Sequence, residues 1–214
     1  MDSRTLLTIA LAAACGVGGW LWLRTGSYRR ADEGGTLPPH LWVVVLAPVV
    51  GFVVERSLAD RPWPVLLPPL ALAMAGLVLA AIDADVHRLP NAITLPLIPV
   101  QALLLLLASA VTGDWPALQQ AVIAAVLVGG GTVLLAFALF GRSIGMGDAK
   151  LLVSIAPTLA WLSWTHLVIG VWLGFVIGGL AAAALLLTRR ASRGTQLAFG
   201  PYLVAGAILA IAWA

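Results

Sequence analysis

Three aspartates sit where a carboxylate is costly. The stretches Ile82-Asp-Ala-Asp-Val-His-Arg-Leu-Pro-Asn91 and Gly145-Met-Gly-Asp-Ala-Lys150 each press acidic side chains against the end of a long apolar run. An ionisable group at membrane depth is a functional candidate by default; the plain alternative is that Asp83, Asp85 and Asp148 are solvated loop charges beside Arg88 and Lys150. The chemistry on offer is that of a carboxylate pair. Two carboxyl groups about 3 Å apart in a low-dielectric pocket cannot both ionise easily, so they share a proton. One then acts as base on water and the other as acid toward a carbonyl oxygen, which hydrolyses a peptide bond with neither a metal nor a covalent intermediate. Gly145 and Gly147 would let the backbone adopt conformations closed to other residues and bring substrate close to Asp148. Pro90 would end or redirect the chain after the first aspartate stretch. Lys150 reads as a charge that neutralises the site or anchors a helix end, not as a Schiff-base lysine. His40, His87 and His166 are scattered, and His87 between Asp85 and Arg88 makes a poor ligand set, so no metal and no cofactor is expected.

The elements that must hold these residues are membrane helices. The chain is 61% hydrophobic and only 10% charged over 214 residues, with a mean hydropathy of +1.03, whereas soluble domains carry roughly a quarter charged residues. Each apolar run of roughly 20 residues can cross a hydrocarbon core about 30 Å thick. The clearest spans are Thr5–Leu23, Trp63–Ile82, Ala92–Thr112, Pro116–Phe140 and Thr165–Leu187. His40–Val54 is shorter, about 15 residues or roughly 22 Å of helix. Leu197–Ala214 has a spanning length but carries Gly200-Pro201 inside it. Leu151–Leu187 holds no charge and would be roughly 55 Å long as one helix, so it must break, near Trp161-Leu-Ser-Trp164. The fold expected is an all-α polytopic integral membrane protein with about eight transmembrane or membrane-embedded helices.

Eight spans sort the twelve basic residues nine against three. Arg24, Arg29, Arg30, Arg88, Arg142, Lys150, Arg189, Arg190 and Arg193 fall on one side and Arg4, Arg56 and Arg61 on the other. The positive-inside rule makes the first side the cytoplasm, which places a multi-pass protein in the cell (inner) membrane with both aspartate stretches facing inward. Seven spans would send Arg189, Arg190 and Arg193 outside. Of the nine tryptophans, all but Trp172 lie near span ends, where amphipathic rings prefer headgroup level. Gly170, Gly174 and Gly178 form a small-residue stripe for close helix packing, and Gly129-Gly-Gly131 suits close packing or a kink. The single cysteine, Cys15, excludes an intramolecular disulfide and a cysteine-rich zinc module and reads as a packing residue. The net charge of +3 is spread over loops without a clustered patch, so nucleic acid is not an expected partner.

Three stretches in order carry a resemblance: Asp83-Ala-Asp-Val-His-Arg-Leu-Pro-Asn91 with Ile93-Thr-Leu-Pro96, Gly145-Met-Gly-Asp-Ala-Lys-Leu-Leu152, and Phe199-Gly-Pro-Tyr202. Over about residues 75–210 the chain resembles the prepilin peptidases, membrane aspartic proteases of the GxGD class that mature type IV pilins and pseudopilins. The resemblance implies a catalytic pair of Asp83, seven positions before Pro90, and Asp148. Asp85 matches a position that is often acidic in the family but outside its pair, and is the second choice. It also implies substrates with a short basic leader, cut just after a glycine that precedes an apolar helix, so pilin-like precursors and the lipid bilayer are the expected partners. Gly200 and Pro201 would help hold an extended substrate, though a plain helix break explains them nearly as well. The front of the chain departs from longer bacterial members, which carry a zinc-binding cysteine tetrad and a Gly-Ser-Phe-Leu-Asn-Val type signature linked to methylation of the new amino terminus. Here Cys15 stands alone and Gly26-Ser-Tyr-Arg-Arg30 is a poor match, so peptidase activity is implied and methyltransferase activity is left open. Residues 1–62 then form an amino-terminal membrane region with a polar linker, and residues 63–214 a peptidase core. Two other classes compete: a small proton-coupled transporter, since membrane carboxylates relay protons, and a noncatalytic assembly protein on the same scaffold.

Overall fold

In the computed structural model, which describes residues 2–138, 145–188 and 198–214, the chain forms eight helical rods and, among the described residues, no strand. They are α1 (Ser3–Leu23), α2 (Leu41–Ser57), α3 (Trp63–Val86), α4 (Asn91–Thr112), α5 (Trp115–Ala138), α6 (Met146–Leu162), α7 (Trp164–Leu187) and α8 (Gly200–Ile211). Five of them, α1, α3, α4, α5 and α7, are long and apolar enough to cross a membrane. α2 and α6 have 17 residues each and α8 has 12. Leu103, Leu127, Leu134, Trp172 and Leu180 lie exposed on the outer faces, a surface that only lipid can cover without a large free-energy penalty.

Several rods start where the sequence supplies a cap. The Asp2, Asp114 and Ser163 side chains accept backbone N–H groups of Thr5, Ala117 and His166, satisfying donors a helix cannot satisfy itself. Ser163 is extended at φ −175°, so the long uncharged run breaks within Trp161–Trp164 as expected. The end of the expected Pro116–Phe140 span and the start of Leu197–Ala214 fall partly outside the described residues. Within them, α8 departs from the expectation. Gly200-Pro201 does not interrupt a helix; it begins a short one, because Pro201 at the first helical turn lacks an N–H that would go unbonded there anyway. The lone thiol is another correction: Cys15 is exposed on α1 and is not packed inside the protein.

α3 is the hub, with most of its residues buried. Around it, neighbouring rods close on one another through small residues. A Cβ at Gly206 of α8 would lie 2.4 Å from the Gly170 carbonyl oxygen, and one at Gly174 of α7 would lie 3.1 Å from the Leu203 Cα, so the glycine stripe lets α7 and α8 meet backbone to backbone. Gly129 does the same against Val153 of α6, 2.9 Å from its Cα, inside a π-helical stretch of α5 spanning Ala125–Gly130. Deep in the bundle, Gln101 of α4 donates to the Pro68 carbonyl of α3 at 3.0 Å and to Thr158 of α6 at 3.2 Å. That side chain ties the rods bearing Asp83 and Asp148 to one neighbour.

The rod ends sort into two layers. In one, Arg4 donates to the carbonyls of Leu58 and Ala59, and Trp161 donates to Ser109 at 2.7 Å. In the other, the α1–α2 linker, the end of α3 and the starts of α4, α6 and α8 meet. Arg24, Arg29, Arg30, Arg88 and Lys150 belong to this second layer, and Arg4, Arg56 and Arg61 to the first. Arg142, Arg189, Arg190 and Arg193 lie outside the described residues.

Candidate active site

Asp83 lies in the last turn of α3 and is only 4% exposed. Its backbone carbonyl accepts the His87 N–H at 2.9 Å, and His87 closes the helix in the left-handed region at φ +51°. The Asp83 carboxylate accepts the Gly200 N–H at 2.9 Å. A helix start offers unbonded N–H groups and the positive end of its dipole, and α8 aims one of them at this carboxylate. A side chain at position 200 would block that approach, because a Cβ there would stand 2.9 Å from Asp83 Oδ2.

Asp148 projects from the first turn of α6 and is partly buried. Gly145 and Gly147 flank it but not for the conformational reason expected of them. Among the described glycines, positive φ occurs only at Gly26, Gly35 and Gly113, and Gly145 has φ −62°, open to any residue. Their use is space. A Cβ at 145 would lie 3.1 Å from Asp148 Oδ2, and one at 147 would lie 3.1 Å from Leu89 Cβ. Leu89, buried just beyond the end of α3, also stands 3.4 Å from a Cβ placed on Gly200. This leucine is therefore wedged between the glycine that bonds Asp83 and the glycine beside Asp148. Pro90 precedes α4 in extended backbone and turns the chain into it. Lys150 anchors a helix end, donating to Asn91 Oδ1 at 2.8 Å.

Asp85 has a different employment. Arg29 of the linker donates to both its oxygens, at 2.8 and 2.7 Å, and the Tyr28 hydroxyl donates to Oδ2 at 2.6 Å. Burial and this carboxylate push the Tyr28 hydroxyl up to about 12. Arg88 reciprocates, donating to Glu33 at 2.6 and 2.8 Å and to the Tyr28 carbonyl at 2.7 Å. Its guanidinium holds the Glu33 carboxyl down to about 2. Among the described residues no three His, Cys, Asp or Glu side chains gather as a metal would need. The structure thus brings Asp83, Asp148, Gly145, Gly147, Gly200 and Pro201 to one end of the bundle. Leu89, Tyr28, Arg29 and Glu33 were not singled out in the sequence for any role at the site, since nothing in a linear pattern pairs a linker with a helix end.

A family model described as the type IV leader peptidase family matches residues 70–184, more than half of the chain. The chain belongs to that family. The matched region contains both Asp83 and Asp148 and ends before Gly200. Type IV leader peptidase relatives extend the likeness further. A prepilin leader peptidase/N-methyltransferase of Aeromonas hydrophila is 32% identical over 200 residues, 91% of this chain and 64% of that protein. One of Pseudomonas putida is 37% identical over 149 residues, 67% of this chain and 49% of that protein. One of Neisseria gonorrhoeae is 34% identical over 144 residues, 62% and 46%. The chain thus spans about half to two thirds of the length of these curated relatives. No solved structure matches it.

Proposed function

We propose that this protein is a membrane aspartic endopeptidase that removes the leader peptide from type IV pilin-like precursors at the cytoplasmic face of the cell membrane. Asp83 and Asp148 activate one water between them, and residues 63–214 form the reacting core. The observation that carries the reading is the meeting of two carboxyl-bearing helix ends in one layer of the bundle, across Leu89, with a backbone N–H fixed on Asp83. A carboxylate so placed can draw a proton from water while its partner protonates the scissile carbonyl. Membership of the leader peptidase family supplies the substrate class. A proton-coupled carrier fits less well, because its site belongs near the bilayer midplane and both carboxylates here sit at helix ends.

Coexpression with a prepilin, followed by mass analysis of the pilin amino terminus, tests the reading. Wild-type protein should release a pilin shortened by its basic leader. Asp83→Asn and Asp148→Asn should leave the precursor intact while the variant protein still inserts and accumulates. A stable Asp148→Asn protein that cleaves at the wild-type rate would overturn the assignment. Methylation of the new amino terminus is read in the same spectrum.

A further inference from the structure

The last turn of α3 is poorly suited to stand alone. It carries two carboxylates, Asp83 and Asp85, at the end of a helix whose dipole repels negative charge. It closes on His87 at φ +51°, a left-handed conformation that a non-glycine residue adopts at a cost. Yet Asp83 and Leu89, on either side of that turn, are the residues that meet Gly200 and Gly147. Something outside α3 must hold it.

The linker does. Its Arg29 grips Asp85 on the helix, and Arg88, just past the helix end, grips Glu33 on the linker, two reciprocal forked pairs that close a ring. A fork of parallel N–H bonds fixes orientation as well as distance. Tyr28, only 5% exposed, is the shared node: its hydroxyl reaches Asp85 and stands 3.2 Å from His40 Nε2, while its carbonyl accepts from Arg88. Arg29 also donates to the Gly35 and Thr36 carbonyls, and Trp20 to the Pro39 carbonyl. A glycine-containing segment is thereby stitched down along its length. The bonds land on residues 85 and 88, bracketing the turn between Asp83 and Leu89.

We propose that Tyr28–Glu33 is a positioning strap for the aspartate pair, with Arg29 and Arg88 as positioning residues that act through the end of α3. The inference rests on the peptidase reading of that site. The strap touches neither reacting carboxylate; it fixes where Asp83 and Leu89 stand relative to Gly200 and Asp148. Loosening it slows the chemical step and leaves precursor binding largely alone.

The test uses the full chain in detergent or liposomes with a purified prepilin, and adds hydrogen exchange as a readout independent of cleavage. Arg29→Ala should lower kcat at least tenfold with KM within about twofold, and Arg29→Lys, which restores charge without the fork, should recover part of the loss. Amide exchange in Arg29→Ala should accelerate severalfold in the peptides covering 83–89 and 198–203, where the His87 and Gly200 amides bond Asp83. Glu33→Gln breaks the reciprocal pair and should move both readouts the same way, which keeps the test decisive if Arg29→Ala fails to accumulate. Faster exchange confined to residues 24–40, with kcat unchanged, would overturn the strap and leave a linker stitched down for its own sake. If wild-type protein cleaves no prepilin, the peptidase reading fails, and exchange at 83–89 and 198–203 alone decides whether the strap holds that layer together.

Discussion

Asp83 and Asp148 reach one end of the bundle by different physical routes. Asp83 is buried at a helix end and takes a backbone N–H from α8; Asp148 opens α6, over the space that Gly145 leaves. If the pair works as a unit, the double variant Asp83→Asn/Asp148→Asn should be scarcely worse than either single one, because losing one member already removes the shared chemistry. Gly200→Ala is a subtler probe. Its methyl would sit 2.9 Å from Asp83 Oδ2, so the carboxylate must shift and its hydrogen bond lengthen. A hydrogen bond to a charged group is worth roughly 1.5–3 kcal/mol, so cleavage should fall about tenfold to a hundredfold, with the protein still folded by thermal melt. Wild-type cleavage by Gly200→Ala would show that the N–H on Asp83 does no chemical service. The aspartates could be picked out as candidates in the sequence, since G-x-G-D and the acidic stretch before Pro90 are local patterns. The Gly200 bond spans 117 positions and involves a backbone group that no side-chain pattern announces. Leu89 was hidden for a similar reason: an apolar residue beside a proline looks like any other until its neighbours are known.

Among the elements, α7 and α8 are the pair whose contact is fixed by single atoms. α8 is only 12 residues long, roughly 18 Å, so it is held by its neighbours and not by spanning the bilayer. A Cβ at Gly174 would lie 3.1 Å from the Leu203 Cα and 3.2 Å from the Tyr202 carbonyl oxygen. Gly174→Val would force α8 away by more than a flexible side chain could absorb, and Gly200 travels with α8. The variant should insert but melt well below wild type, and its cleavage should fall along with its stability. Gly179→Val is the control, since a Cβ there meets nothing within 4 Å, and it should behave as wild type in both measurements. The glycine stripe and the break at Ser163 could be read in advance because spacing and charge-free length are one-dimensional quantities. The start of α8 could not, because an apolar run does not say whether Gly-Pro interrupts a helix or opens it. Cys15 was misplaced on similar grounds: in a lipid-facing helix the outer residues are as apolar as the inner ones, so the sequence gives no inner face.

At the scale of the molecule, the question is which way the bundle sits. The two layers of rod ends follow from the hydrogen bonds that join them, but a protein alone does not say which layer faces the cytoplasm. The proposed orientation, with the aspartate layer toward the cytoplasm, rests on the basic residues and the bias of positively charged loops toward the inside. Five of the nine that favour the aspartate layer are described, against Arg4, Arg56 and Arg61 in the other. Single-cysteine labelling tests the assignment, with Cys15→Ser as the background because the native thiol is itself exposed. Ser27, Ala92, Asp60 and Gly113 are all exposed, the first two in the aspartate layer and the last two in the opposite one. A membrane-impermeant maleimide added to intact cells should label Asp60→Cys and Gly113→Cys. Ser27→Cys and Ala92→Cys should react only after the membrane is opened. If Ser27→Cys and Ala92→Cys labelled on opposite sides, the shared layer itself would be wrong and the aspartates could not meet. If all four responded in the reverse order, the bundle would be intact but inverted, and a substrate with a basic leader held inside the cell could not reach Asp83 and Asp148.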